Sequence, residues 1–549
     1  MLVSRSLVAP ATRLALLTVA ITVTLSACSD SRTASTSDEA KPLPDTIVIG
    51  TAIDFEGINE VVVRSTPLAN VILYQGLFRT LAKERPDYST GPATFEPQLA
   101  ERWEFSDDRS TLTFFLRDDV QWSDGVPLTA RDVRFSWEAQ THPEVNWPMA
   151  QVKEKITDVE VIDDHTVRFH FSEVYAQQLL DAVGGVILPA HAWGELPFDQ
   201  WRENLSWFLD NQVVAGPYRV ADWQPQQRIV LEANPNYYLA DQPKTQRIVF
   251  QIVPDRDSRL NQLRAGDLDV LELSPDDVDT LGELPDVHFR KFDFRQLVFL
   301  TWNHANPLFA DPAVRRALTF AIDRAEIIDV LYGEYAVLPS SPYPTYVWAR
   351  DASLEPRPHD PEQAMALLAE AGWRDTDDDG ILDKNGEAFA FELLTNNDNQ
   401  LRMDIATMVQ QQLGAIGIAV ETEAIEFNTL ISREFAHDFE ATVMSIGIDT
   451  SLDFSWFFHT DSIDGGYNWM QYRNPEVDRV LDEIGTFTDA KAAEPLHHEL
   501  QKLLYDDQPI TLLYQPQRVL ATDRRLSGIE PNVIWSLYHL ESWHWTEAP

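Results

Sequence analysis

The sequence predicts an α/β or mixed α+β protein built from more than one lobe. Short apolar runs typical of strands alternate along the chain with runs whose apolar residues recur at helical spacing, which indicates sheets covered by helices. The chain has 549 residues, more than a single hydrophobic core usually serves. We therefore expect two or three lobes.

The first structured element is expected directly after a polar spacer. Residues 28–44 are rich in Ser, Thr, Asp, Ala and Pro, a composition that predicts a flexible segment. A short buried strand follows at residues 46–49. The further strands are predicted at 111–116 with a continuation through Val120 and Trp122, and at 167–171, 229–231 and 248–253.

Three helices are predicted, each from a residue that commonly caps or begins a helix. Their start and end signals are Thr129 with Asp132 in a capping box, Asp311-Pro312 to Gly333, and Asp360-Pro361 to Gly372.

The amino-terminal segment has the pattern of an export signal with a lipid attachment site. Arg5 and Arg13 precede an apolar run at 14–23, and Leu-Ser-Ala leads directly to Cys28. This order resembles the bacterial lipobox, which implies removal of residues 1–27 and acylation of Cys28. An ordinary signal peptide with a chance cysteine is the alternative. The apolar run is shorter than the roughly 20 residues that a membrane-spanning helix needs.

Charge and cysteine content exclude several classes of function. The 87 acidic and 43 basic residues give a formal net charge of −44. Such a surface repels nucleic acid and anionic head groups and favours cationic or neutral ligands, although solvation alone explains the charge equally well. Cys28 is the single cysteine, so an intrachain disulfide, a thiolate metal site and a cysteine nucleophile are excluded.

Several motifs follow one another in an order typical of one family. They are 99–104 (LAERWE), 113–117 (TFFLR), 120–125 (VQWSDG), 128–133 (LTARDV), 215–218 (AGPY), 234–238 (NPNYY), 265–270 (AGDLDV), 314–318 (VRRAL), 321–323 (AID), 360–373 and 465–478. In these segments the chain resembles the family 5 bacterial extracellular solute-binding proteins, the peptide- and nickel-type binding components of ABC importers.

The resemblance implies a two-lobed, periplasmic-binding-protein-like α/β fold of type II, with an extra domain and a cleft between the lobes. Lobe I is expected to combine residues 45–90, 212–300 and 516–549, and lobe II to span residues 301–515. The extra domain is expected at 91–211. A chain that passes between lobes more than once can form a hinge, and the ligand favours the closed state that binds it better.

The resemblance also implies a function, namely capture of a solute by a non-enzymatic, monomeric, lipid-anchored protein that delivers it to an ABC importer permease. The expected location is the periplasm or the outer face of the cytoplasmic membrane. A peptide is the first expectation for the solute. The family also serves oligosaccharides, nickel chelates, haem and opines. A secreted hydrolase and a surface sensor or scaffold are the alternatives from other classes.

One acidic residue is the candidate anchor for a peptide's amino group. Peptide-binding members of the family place such a residue shortly before a Gly-Gly-Tyr-Asn segment, which here begins at Gly465. The matching stretch, residues 447–454, contains Asp449 and, behind it, Asp453. A carboxylate in a cleft of low dielectric pairs strongly with an ammonium group. The alternative is that Asp449 only caps or solvates a loop.

Aromatic and amide side chains supply the remaining ligand-binding candidates. Two glycines precede the first group, and glycine lets a backbone approach a ligand closely. An Asn side chain can both donate and accept hydrogen bonds, as a peptide backbone requires. Core packing is the alternative for every aromatic candidate. The candidates are Tyr467, Asn468, Trp469, Trp302, Asn303 and Trp456.

An acidic loop has part of the spacing of a calcium site. Alternating carboxylates can converge on one hard cation, and Gly380 permits the bend. The twelfth position is Gly386 rather than Glu, so the full EF-hand pattern is missing and a solvated acidic turn is favoured. The candidate ligands of a structural calcium are Asp375, Asp377, Asp379 and Asp383. No other cofactor is expected, since the chain lacks the G-x-S-x-G, P-loop, G-x-G-x-x-G and H-E-x-x-H motifs.

Overall fold

The computed structural model describes residues 45–546. The predicted signal peptide, Cys28 and the spacer at 28–44 lie outside the described residues. Within the described range, no helix is both long and apolar enough to cross a membrane.

The strands are β1 (Thr46–Thr51), β2 (Ala82–Glu84), β3 (Phe95–Pro97), β4 (Ala100–Phe105), β5 (Thr111–Leu116), β6 (Ile156–Asp163), β7 (Thr166–Phe171), β8 (Tyr218–Gln224), β9 (Arg228–Ala233), β10 (Arg247–Ile252), β11 (Val270–Leu273), β12 (Val287–Asp293), β13 (Gln296–Trp302), β14 (Ala336–Val337), β15 (Asp383–Lys384), β16 (Glu387–Ala388), β17 (Ala390–Asn396), β18 (Ala419–Ile425), β19 (Ala441–Gly447), β20 (Ile510–Asp523), β21 (Leu526–Ser527) and β22 (His544–Trp545).

The α-helices are α1 (Pro67–Asn70), α2 (Ala130–Thr141), α3 (Gln178–Val183), α4 (Ala190–Trp193), α5 (Leu205–Asp210), α6 (Arg256–Ala265), α7 (Pro275–Leu281), α8 (Pro312–Ala321), α9 (Arg324–Leu331), α10 (Pro361–Glu370), α11 (Gln400–Gly414), α12 (Phe427–Phe435), α13 (Ser455–Phe458), α14 (Pro475–Thr486) and α15 (Glu494–Asp507). A π-helix spans Val71–Leu77, and short 3₁₀ helices lie at Ala150–Lys153, Phe198–Glu203, Gly333–Tyr335, Thr460–Ser462, Ala490–Ala493 and Leu540–Ser542.

Twelve strands form one large mixed sheet. Its order is β18-β17-β19-β13-β20-β11-β1-β10-β9-β8, and β12 and β14 also pair with β20. β1 lies between β10 and β11 and runs parallel to both. The first half of β20 pairs with β13, and its second half pairs with β11. One 14-residue strand therefore connects the two halves of the sheet.

A separate antiparallel sheet has the order β4-β5-β7-β6. Buried and partly buried residues alternate along β5 and β7, so one face of this sheet lies in the core. The capping box predicted for α2 is confirmed, with the Thr129 N–H donating to Asp132 Oδ2 at 2.8 Å. The predicted continuation of β5 was wrong, because the Trp122 N–H donates to the Val126 carbonyl at 2.8 Å and closes a turn.

Alternate residues of β13 contribute to two different buried clusters. Val298, Leu300 and Trp302 belong to one cluster, and Leu297 and Phe299 belong to the other. Successive side chains of a strand point to opposite faces of a sheet, so both faces are covered here. Another cluster joins the β1 half of the sheet to the four-stranded sheet. The predicted lobe boundaries stay a prediction.

The helix predicted from 311 to 333 is in fact two helices. α8 stops where Ile322 adopts an extended backbone, and α9 begins two residues later. The Asp323 side chain accepts a hydrogen bond from the Glu326 N–H at 2.9 Å, which satisfies one of the N–H groups left free at a new helix start. The single-helix prediction was wrong because the apolar spacing alone does not reveal this internal cap.

The helix predicted to open at Asp360 is confirmed as α10. Asp360 Oδ1 accepts a hydrogen bond from the Gln363 N–H at 2.9 Å. Gly372 follows the end of the helix with a φ of +95°, a left-handed conformation that glycine adopts without steric cost.

Candidate ligand-binding site

A cavity of about 260 Å³ lies where distant parts of the chain meet. Residues between 60 and 98 form most of its wall, residues 147–149 and 180–185 form a second part, and Arg295 with residues 534–535 completes it. Concave sites of this kind are the usual binding sites for small ligands. The charged and aromatic lining residues are Glu60, Tyr74, Lys83, Glu84, Phe95, Trp147, Arg295 and Trp535.

A π-helix and a short strand position the largest part of this wall. Thr66 caps α1 by accepting a hydrogen bond from the Ala69 N–H at 3.2 Å, and the chain then continues directly into the π-helix. Such turns are rare and occur frequently at functional sites. Tyr74 lies in this turn and Glu84 is the last residue of β2. Both line the cavity.

Glu60 is buried in the wall and fixes a tyrosine ring. Its carboxylate accepts hydrogen bonds from the Tyr74 hydroxyl and from the Val186 N–H, the latter at 2.9 Å. Burial raises the pKa of Glu60 because removal from water disfavours its charged form. These two contacts join residues 60–74 to the segment after α3.

Lys83 faces a polar network within the wall. Its Nζ lies 3.2 Å from both Gln75 Oε1 and His539 Nδ1, and 4.1 Å from the centre of the Tyr538 ring. Burial lowers the pKa of Lys83 to about 8, and the charge of Glu541 opposes that shift. Glu541 lies behind the wall, where it forms an ion pair with Arg79 at 3.5 Å and also favours the charged form of Lys83.

The loop that contains Asp449 borders the cavity through two lining residues. The Ile448 N–H donates to the carbonyl oxygen of Arg295 at 3.2 Å, and the Thr450 hydroxyl donates to Glu84 Oε1. Within the described part of the chain, Arg295 forms no ion pair with a carboxylate, and Glu84 forms none with a cation. The charge of Arg295 acts on both Glu84 and Asp449, opposing the rise of their pKa values, but none of the three is held in a close ion pair within the described range. Charges of opposite sign are thus available at one site.

Three carboxyl groups around this loop have raised pKa values. Burial raises the pKa of Glu84 and of Asp449, and the charge of Asp453 adds to the effect at Asp449 while hydrogen bonds from Ser451 oppose it. Burial also raises the pKa of Asp181 to about 6, with a contribution from Asp449. Asp449 is accessible to water yet crowded by protein groups, as a residue at a cleft wall would be.

Trp302 and Asn303 lie in the core rather than at the cavity. Trp302 is fully buried, and its indole Nε1 donates to Thr511 Oγ1 at 3.1 Å. The side-chain amide of Asn303 donates to the carbonyl oxygens of His437 and Phe439 at 3.2 and 2.9 Å. The polar groups of both residues are therefore used to hold neighbouring segments together.

The second predicted group forms an aromatic cluster away from the cavity. Tyr467 is 50% exposed, and its ring centre lies 5.5 Å from that of Trp456 and 6.0 Å from that of Trp469. Asn468 is fully buried and donates to the Tyr472 carbonyl at 2.8 Å. None of the four predicted residues lines the cavity, and their role in ligand binding stays a prediction.

The acidic loop brings three of its four predicted carboxylates together. Oxygen atoms of Asp375, Asp377 and Asp383 all lie within 4.8 Å of one another. Asp379 instead accepts a hydrogen bond from the Ile381 N–H at 2.8 Å. The group is largely exposed, as a solvated turn would be, and calcium binding there stays a prediction.

Sequence reasoning missed the residues that line the cavity. Glu84, Arg295 and Trp535 belong to segments far apart in the chain, and no motif connects them. Arg295 lies in the short link between β12 and β13, and loops at the ends of strands often carry binding residues, but neither strand was predicted from the sequence.

Comparison with known proteins identifies the family. Residues 94–469 match the bacterial extracellular solute-binding proteins, family 5 Middle. The oligopeptide-binding protein AppA of Bacillus subtilis (strain 168) is 31% identical over 538 residues, which cover 95% of this chain and 96% of AppA. The structure of AppA from Bacillus subtilis in complex with a nonapeptide superimposes with a TM-score of 0.74 at 28% identity, covering 92% of this chain and 99% of that one. Heme-binding protein A of Haemophilus influenzae is 27% identical over 454 residues, covering 77% and 79% of the two chains.

The fold and the cavity define a two-lobed binding protein for a small solute. The chain belongs to the family 5 bacterial extracellular solute-binding proteins, which confirms the family that its motifs predict.

Proposed function

We propose that this protein captures a short peptide and delivers it to the permease of an ABC importer. The observation that carries the proposal is the presence, at one cavity, of a guanidinium without a carboxylate partner and of carboxylates beside it. A zwitterionic peptide needs one group of each sign. In this proposal Arg295 binds the carboxylate of the peptide, and Asp449 binds its amino group.

Two further facts support a peptide as the solute. The relative AppA is an oligopeptide-binding protein, and it was solved with a nonapeptide. The volume of the cavity, about 260 Å³, is slightly below the range of about 300–1,000 Å³ usual for ligand sites. We therefore propose a peptide of two or three residues as the preferred length.

Capture is proposed to proceed by closure, without chemical change of the solute. Lobe I (45–90, 212–300 and 516–549) and lobe II (301–515) would close about the segments that join them, while the extra domain (91–211) moves with lobe I. The ligand would shift the equilibrium towards the closed state only by its difference in affinity for the two states. The protein is proposed to act as a monomer.

Mass spectrometry and calorimetry test the peptide assignment. Solutes released by denaturing the native protein are expected to include short peptides, and Ala-Ala-Ala is expected to bind with one-to-one stoichiometry and without cleavage. Binding of haem, a nickel chelate, an opine or an oligosaccharide in place of any peptide would contradict the assignment. Hydrolysis of the bound peptide by the pure protein would favour the secreted hydrolase instead.

The protein is further proposed to be anchored by an acylated Cys28 at the periplasmic or outer face of the cytoplasmic membrane. Intact mass measurement of the membrane-extracted protein tests this directly. We expect an amino-terminal peptide that starts at Cys28 and carries acyl chains, and release of the Cys28→Ala variant from the membrane fraction. An unmodified amino terminus at another residue would contradict the anchor and leave the ligand assignment untouched.

A further inference from the structure

Aromatic side chains and the carboxylate of Glu84, which forms no ion pair among the described residues, line the same cavity. We call Tyr74, Trp147 and Trp535 the aromatic wall. The rings of Tyr74 and Trp535 lie 5.6 Å apart between centres, with an angle of 32° between their planes. Hydrogen bonding to Glu60 fixes the Tyr74 ring. These faces are held in position before any ligand arrives.

Trp147 packs closely against Gly185 in the wall of the cavity. Gly185 has a φ of +82°, and a Cβ atom built there would lie 3.3 Å from Trp147 Cη2. Both residues line the cavity. Trp147 is itself buried, and the backbone of Gly185 restricts the movement of its ring on one side.

The charges at the cavity leave one carboxylate without a partner after a zwitterionic peptide has bound. Arg295 would take the peptide's carboxylate and Asp449 its amino group, as proposed above. Lys83 is directed to the polar network of the wall, and the charge of Glu541 favours its charged form. Glu84 then keeps the Thr450 hydroxyl as a donor and the Tyr88 hydroxyl nearby, neither of which carries a positive charge. Burial raises the pKa of Glu84 because its charged form is poorly solvated.

We propose that the aromatic wall and Glu84 together bind a cationic side chain of the solute, so that this importer selects short peptides containing lysine or arginine. The inference rests on the proposed function, because it assigns a specificity to the same cavity. A cation is attracted to the faces of Trp and Tyr rings and to a half-buried carboxylate. An apolar side chain would satisfy the rings but would leave Glu84 desolvated and unpaired.

The charge of the whole molecule acts in the same direction. A formal net charge of −44 raises the local concentration of cationic solutes and their rate of association. The electrostatic field of the whole molecule does not select one part of the ligand over another. The aromatic wall and Glu84 act at short range, so they would distinguish a lysine side chain from other parts of the ligand.

Calorimetry with three tripeptides that differ only in the middle residue tests the proposal. Ala-Lys-Ala is expected to bind at least tenfold more tightly than Ala-norleucine-Ala, and Ala-Glu-Ala more weakly than either. For Glu84→Gln, the ratio of lysine to norleucine affinity is expected to fall at least fivefold. Trp535→Leu is expected to weaken Ala-Lys-Ala binding at least fivefold. Glu101→Gln, the same change at an exposed residue of β4, is the matched control and should keep the wild-type ratio.

The outcomes separate this proposal from the one on which it rests. Equal affinity of the wild-type protein for all three tripeptides, or a preference for norleucine, would overturn the selection of cationic side chains while a peptide-binding protein remained. Failure of all three to bind would overturn the peptide assignment and this proposal with it. The wild-type ranking decides the matter even where a variant does not fold.

Discussion

Arg295 lies in the short link between β12 and β13, where its carbonyl oxygen accepts the Ile448 N–H. This backbone contact holds the guanidinium close to the loop of Asp449. The sequence located Asp449 through the family pattern, but it gave no sign of Arg295. Trp302 was predicted to bind the ligand, but it lies in the core. A tryptophan in a strand-like run suits a core and a cleft equally well, and only the packing of both sheet faces distinguishes the two positions.

Arg295→Gln is expected to weaken binding of Ala-Ala-Ala by tenfold or more, because a hydrogen bond to a charged group contributes about 1.5–3 kcal/mol. The carboxyl-terminal amide of the same peptide lacks the group that Arg295 would bind. Calorimetry should therefore find little difference between wild type and variant with the amide. An equal loss for acid and amide would show that Arg295 does not hold the ligand's carboxylate.

The raised pKa of Asp181, about 6, predicts a pH-dependent effect on stability. A folded-state pKa above the unfolded value means that the folded protein loses stability as pH rises through the window from about 4 to 6. Asp181→Asn removes this cost and keeps an acceptor for the Tyr175 hydroxyl, which donates at 2.8 Å. We expect a gain of about 2 kcal/mol at pH 7 and almost none at pH 4.

Urea unfolding at the two pH values measures the effect, with Asp210→Asn at an exposed position as the matched control. A gain of the same size at both pH values would mean that burial does not raise the pKa of Asp181.

At the scale of single elements, the start of a helix is easier to predict than its continuity. The capping residues of α2, α8 and α10 are found where the sequence places them. The break between α8 and α9 was missed because the apolar spacing runs on through it. Asp323 and Glu326 stand three residues apart and form a cap signal in the sequence, but such pairs are common in a chain this acidic.

Asp323→Ala is expected to destabilise the protein by about 1 kcal/mol, because the N–H groups at the start of α9 lose their acceptor. Asp323→Asn keeps an acceptor of the same reach and should cost less than half as much. The midpoint of urea unfolding at an unchanged slope reports both values. Equal losses for the two variants would assign the effect to the ion pair with His359, at 3.1 Å, rather than to the cap.

At the scale of the whole molecule, the sequence predicted the α/β class from the alternation of its elements. It could not predict the cavity, because contacts between residues near 74, 147, 295 and 535 depend on how the sheets pack. The long strand β20 belongs to both halves of the large sheet, so we expect a closing motion to bend or twist the sheet near the middle of this strand.

Small-angle scattering is expected to show a smaller radius of gyration when a saturating tripeptide is added, because the ligand favours the closed state. Arg295→Gln at the same peptide concentration should keep the radius of the free protein. Identical profiles for the wild-type protein with and without a peptide that calorimetry shows to be bound would contradict closure.

The carboxyl-terminal segment contacts the first described strand and also contributes to the cavity. The indole Nε1 of Trp545 donates to the carbonyl of Thr46 in the first strand at 3.0 Å, and Trp535 lines the cavity. During synthesis the wall of the cavity therefore stays incomplete until Trp535 has left the ribosome. A product that stops before Trp535 would lack both this ring at the cavity and the hydrogen bond from Trp545 to the first described strand, and we expect it to release its ligand more readily.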